Sequence, residues 1–149
     1  MIKLLGEKIY EYDVDTTATY EYGLSLSDVV AGSMAPPSHG ARFDVHFQGQ
    51  IRGKIQGTIS GADFAFMRPD GLVELNIHAR IDAGDGVFIA FWAGGIGRLR
   101  SGDPVLDLAE NVRLTTSHES HQWVNGRQIW ATGTADLGAG KISIEAFMQ

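Results

Sequence analysis

Glu74, Asn76, His78, Arg80 and Asp82 alternate without an error with Val73, Leu75, Ile77, Ala79 and Ile81. An extended strand sets such a row on one side, successive members about 7 Å apart. An acid, an amide, an imidazole and a guanidinium gathered in one cavity could move protons and hold a developing oxyanion. Turned to solvent, the same row would be the ordinary polar face of an antiparallel strand. Its chemistry therefore depends on which face lies inside. His46 and Asp44 occupy the polar side of another alternating stretch, Ala41 to Phe47, and Glu145 alternates with Ile144 and Ala146. Taken singly, each of these reads as a solvated residue.

Other motifs are weaker. Ser117-His118-Glu119-Ser120-His121 has two histidines three apart in a polar stretch, not the helical pair four apart that zinc enzymes use, so no metal is expected. No serine sits in a Gly-x-Ser-x-Gly elbow, and no glycine-rich segment precedes a helix as a phosphate loop requires. No cofactor is expected. Phe88, Phe91, Trp92, Trp123 and Trp130 suit packed core or the wall of an apolar ligand pocket.

These side chains need strands to hold them. Lys8 to Tyr22, rich in Tyr and Thr, reads as one or two strands, and Leu24 to Val30 as a short helix or extended segment. Gly32 to Gly40 has loop composition. Ala41 to Phe47, Ile51 to Ser60 and Asp63 to Met67 are strands, and Arg68-Pro69-Asp70-Gly71 is a tight reverse turn into the strand Leu72 to Asp82. Gly84-Asp85-Gly86 turns into Val87 to Ala93, which is apolar on both faces and so is buried twice or faces a cavity. Gly94 to Asp107 reads as mostly loop, Gly94-Gly95-Ile96-Gly97 as a strand-end bend, and Val105 to Glu110 as a helical turn. Asn111 to Thr116, Gly126 to Leu137 and Lys141 to Phe147 complete the set. The expected fold is all-β: one antiparallel barrel over residues 1–149, with about 8 to 10 strands and no long helix.

The bulk composition limits partners. With 149 residues, 12 Lys and Arg against 18 Asp and Glu, the net charge is −6 and the pI near 5.2. Nucleic acid and anionic membranes are disfavoured, because both need clustered basic residues. There is no cysteine, hence no disulfide or thiolate chemistry, which fits a cytoplasmic protein. No apolar run is long enough to span a membrane and the amino terminus lacks a signal-peptide stretch.

One resemblance accumulates from several short motifs in order. Ala62-Asp63, Arg68-Pro69-Asp70-Gly71, the alternating strand and Asp85-Gly86 are followed by Arg113-Leu114-Thr115-Thr116, Glu119, Trp123-Val124-Asn125 and Gly133. Together they resemble Domain of Unknown Function 3237 (DUF3237), over roughly Gly40 to Phe147. The resemblance implies a calycin-like barrel with an interior cavity, associated into homo-oligomers. It carries over Asp63, Arg68, Asp70, Glu74, Asn76, His78, Arg113, Glu119, Trp123 and Asn125, with Asp70 assigned to the turn and Trp123 to the core. His78 stands where the family more often has Arg.

Two readings stay open. In the first, the barrel is a cofactor-independent lyase, isomerase or cyclase in which Asp63, Glu74 or His78 moves a proton on a small organic substrate. Arg80 or Arg113 would hold the oxyanion, and Asn76, His46, Trp123 and Asn125 would line the site. In the second it is a non-catalytic carrier of an apolar small molecule, held by Phe88, Trp92 and Trp130. A protein that only forms oligomers is the remaining alternative. The carboxylate and imidazole row is expected to face the lumen by a small margin.

Overall fold

Period-two alternation runs through eight segments, and each is a strand in the computed structural model, which describes residues 6–149. They are β1 (Glu7–Glu21), β2 (Ala41–Gly53), β3 (Gly57–Met67), β4 (Val73–Asp82), β5 (Phe88–Leu99), β6 (Val105–Thr115), β7 (Ile129–Asp136) and β8 (Lys141–Met148). Each pairs antiparallel with the next, and β8 pairs with β1, closing the barrel. Closure leaves no unpaired edge to recruit another chain. The inward rows supply the core: Tyr10, Tyr12 and Val14 from β1, Phe43 and Phe47 from β2, Ile59 from β3, Ile77 and Ile81 from β4, and Ile144 from β8 are all at most 5% exposed.

Two short helices punctuate the barrel. After β1 the chain forms α1 (Leu26–Val30), whose N-cap Ser25 accepts the Asp28 N–H at 3.3 Å, while the Glu21 carboxylate takes the Leu26 N–H at 2.6 Å. The capped end holds Leu26 and Val30 against one mouth of the barrel. A 3₁₀ turn at Glu119–Val124 separates β6 from β7. It contains the histidine-rich stretch, where Ser120 Oγ bridges His118 and His121 at 2.9 and 2.7 Å.

The hairpin at Arg68 to Gly71 forms as its residue types require. Gly71 has φ +87°, Arg68 donates its N–H to Leu72 O at 2.8 Å, and Asp70 accepts the Leu72 N–H. The long segment after β4 departs from the sequence reading. Residues 94–99 continue β5 and residues 105–110 begin β6, leaving only a short connection at 100–104. Gly95 explains the difference: it lies at φ +149°, and a Cβ there would sit 2.0 Å from Ala109 O. Its missing side chain lets β5 approach β6 closely instead of ending the strand. Nor is β5 apolar-buried on both faces, since Phe88 is 44% exposed.

Candidate acid pair in the barrel lumen

The inward row of β6 reads Leu106, Leu108, Glu110, Val112, Leu114. Strand geometry commits every member to the lumen, so Glu110 is carried inside by its apolar neighbours and is 5% exposed. Neither of its carboxyl oxygens has a hydrogen-bond partner, and neither does the buried hydroxyl of Tyr10. Orphaned polar atoms at this depth are costly and call for a physical account.

Asp63 reaches the same lumen from β3. The β3–β4 ladder pairs Asp63 with Ile77 and Phe66 with Glu74, and skips Phe64 and Ala65 between them. In that gap Asp63 Oδ1 accepts the Asn76 backbone N–H at 2.9 Å. The carboxyl thus substitutes for a ladder acceptor while standing on the inner wall. Tyr10 and Tyr12 of β1 stack with ring centroids 5.9 Å apart, and Phe91 meets Tyr10 edge-on at 6.3 Å.

Burial sets the protonation of these groups. Desolvation pushes Glu110 up to about 8, with the Asp63 charge adding to it. Desolvation also raises Asp63, to about 6, against the opposing pull of the Asn76 N–H. Both tyrosines are held well above the usual phenol range, first by burial and then by the charge of Glu110. At neutral pH, Glu110 is mostly a neutral acid and Asp63 mostly a carboxylate. Two carboxyls with separated protonation states are the requirement for acid–base work on one substrate.

Phe43, Val45, Phe47, Leu75 and Ile77 make most of the surrounding wall, and Leu26, Val30, Leu99 and Leu137 frame the mouth. Atom-free space between these side chains is about 850 Å³ with the open mouth included, but the cavity itself is about 70 Å³. That is room for several waters or one small group, and a ligand as large as a benzyl ring would extend from it into the open mouth.

Of the side chains singled out from sequence, only Asp63 lines this cavity. The expectation that the polar row of β4 faces the lumen is corrected: Val73, Leu75, Ile77 and Ile81 take the interior at 7% exposure or less, which turns Glu74, Asn76, His78 and Arg80 outward. Apolar burial outweighs any preference of a polar row for the inside. On the outer wall Asn76 Oδ1 accepts from Trp92 Nε1 at 3.3 Å and lies 3.1 Å from His78 Nε2. Arg113 covers the Trp92 ring at 5.4 Å and Arg80 covers Phe88 at 4.7 Å, so neither guanidinium can hold an oxyanion inside. The expected pocket wall moves as well. His46 packs on Tyr20 outside, Trp130 is 46% exposed, and Trp123 lies under Lys54 Nζ. Asn125 fastens the chain by bonding the N–H and C=O of Thr116. Glu110 was missed, although its sequence signal is plain: an acid standing in register within an otherwise apolar period-two row.

Outer-wall substitutions follow from this placement. Glu74→Gln, His78→Ala and Arg113→Ala should each change unfolding free energy by less than about 1 kcal/mol in urea titrations. They should also leave small-molecule binding in the lumen unaltered.

Fold and site together define a small closed β-barrel with an acidic, aromatic-lined interior. Residues 28–148 match the family described as "Protein of unknown function (DUF3237)", and the chain belongs to that family. Its fold recurs in solved structures. A protein of unknown function from Clostridium acetobutylicum is 15% identical over 96% of this chain and 97% of its own, with a TM-score of 0.77. A beta-barrel like protein from Acinetobacter baumannii is 20% identical over 95% and 93%, with a TM-score of 0.71. A protein described as an enzyme from Penicillium herquei is 19% identical over 96% and 92%, with a TM-score of 0.62. No curated protein matches the chain.

Proposed function

We propose that this barrel is a cofactor-independent isomerase, cyclase or lyase in which Glu110 donates a proton to a small, largely apolar substrate and Asp63 accepts one. The observation that carries this reading is the pair of unlike carboxyls in one apolar cavity, Glu110 without a hydrogen-bond partner and Asp63 with one backbone donor. Water exclusion strengthens every interaction they make with a bound molecule. The described residues that line the cavity include no Lys, Arg or His. An oxyanion developing there would meet the neutral Glu110 carboxyl as a hydrogen-bond donor, and positive charge building on the substrate would meet the ionised Asp63. A step in which Glu110 gives its proton or a hydrogen bond to the substrate while Asp63 takes a proton is therefore the best match. The structural likeness to a fungal protein described as an enzyme supports catalysis on this scaffold, though fold alone does not assign it.

The test is turnover of a panel of small epoxides, enones and hydroxy-ketones by the native protein and by Glu110→Gln and His78→Ala. For any substrate converted, Glu110→Gln should lower kcat about 100-fold or more, while His78→Ala leaves it within about twofold. Full activity in Glu110→Gln would remove this reading, and ligand binding with no conversion by any protein would leave a carrier.

A further inference from the structure

We propose that the lumen also binds small organic cations, protonated amines with an apolar body, and rejects the corresponding carboxylates. This uses the cavity assigned above but does not depend on its turnover. Three independent features point the same way.

The first is a charge deficit inside. Asp63 and Glu110 stand in the lumen with Asp136 also on its lining, and the described residues that line it include no basic side chain. Among the described residues, Arg42 pairs with Asp44 and Arg52 with Glu11 and Asp13 on the outer wall, and Arg100 pairs with Asp107. Glu110 is buried with both oxygens unpartnered, so an ammonium group would supply the donors the fold omits. The second feature is aromatic. The charge of Glu110 acts on both Tyr10 and Tyr12, whose rings are stacked, and Phe43 and Phe47 line the same cavity. Ring faces beside the ionised Asp63 are the usual surroundings of a bound ammonium, and Glu110, neutral in the free barrel, gives up its proton more easily once a cation lies beside it.

The third feature is the approach. Leu26, Val30, Leu99 and Leu137 belong both to the cavity and to a wider vestibule outside it. Glu21 and Asp103 line that vestibule and Asp136 lines the cavity, against one basic residue, Arg100, already paired with Asp107 at 2.7 Å. The vestibule thus draws cations inward and repels anions, in a chain already at −6.

Benzylamine, benzyl alcohol and benzoate share one ring and differ in charge, so titration calorimetry with these probes isolates the choice. Benzylamine should bind about tenfold tighter than benzyl alcohol, and benzoate should give no heat of binding. In Glu110→Gln the amine should lose that advantage while the alcohol still binds, which also reports that the variant is folded. Should that variant not fold, Asp63→Asn should reduce the same advantage. Equal or weaker binding of the amine, or an amine preference unchanged in the folded variant, would overturn the proposal. Its loss would leave the catalytic reading standing if Glu110→Gln still abolished turnover, and a cation preference without turnover would remove only the catalytic reading.

Discussion

Glu110→Gln should make the protein markedly more stable at pH 8 and leave it nearly unchanged at pH 4.5. The sign follows from where the proton sits. The folded-state value of about 8 lies above the ordinary 4.5. Between those two values the unfolded chain has released a proton that the folded chain still holds. Stability contributed by the neutral carboxyl is therefore present below about 4.5, falls as pH rises, and is fully lost above about 8. The change across that window is on the order of 4 kcal/mol, using about 1.4 kcal/mol for each unit. A glutamine of nearly the same shape does not ionise and so lacks this loss. For a domain of this size the difference at pH 8 corresponds to a rise in Tm of roughly 10 °C. Thermal melts from pH 4.5 to 8.5 on both proteins test it, and parallel Tm curves would show that Glu110 is not a buried neutral acid.

Alternation between Val73 and Asp82 identified β4 without ambiguity, and the turn at Arg68 to Gly71 fixed its hairpin. Both depend on local rules: the pleat has a period of two, and glycine accepts φ +87°. Which side of a strand faces the lumen is not local. It is set by the summed burial of eight inward rows, and in β4 the apolar row takes the inside. Five polar residues in a row make the ordinary outer face of a strand, whereas a single acid in an apolar row carries more information. Glu110 between Leu108 and Val112 is that acid. Reading Gly94 to Asp107 as loop and Val105 to Glu110 as a helical turn hides it, and the continuation of β5 and β6 through these residues, with Gly95 close against Ala109, overturns both readings.

The outer row still bears on the interior through one residue. Asn76 holds His78 and Trp92 with its side-chain oxygen on the outer face, and its backbone N–H reaches Asp63. The amide therefore fixes the strand segment that presents a donor to the lumen carboxyl. Asn76 and Asp63 are thereby joined by one contact across the barrel wall.

Asp63→Asn should lower kcat/KM about 100-fold or more for any substrate the barrel converts, and should change the shape of its pH profile. In the native protein the base must be ionised, above about 6, and the acid protonated, below about 8. Activity then rises through the lower value and falls through the upper, with a maximum near 7. The two limbs belong to the interacting pair, since the Asp63 charge helps to raise Glu110. An asparagine keeps an oxygen for the Asn76 N–H but carries no charge, so the acid limb should disappear. Removing that charge also lets Glu110 ionise more easily, and the alkaline limb of the residual activity should move to lower pH. An Asp63 that only supports the wall would leave the acid limb in place, although removing its charge would still move the alkaline limb. Disappearance of the acid limb thus identifies Asp63 as the base, and displacement of the alkaline limb reports its electrostatic coupling to Glu110.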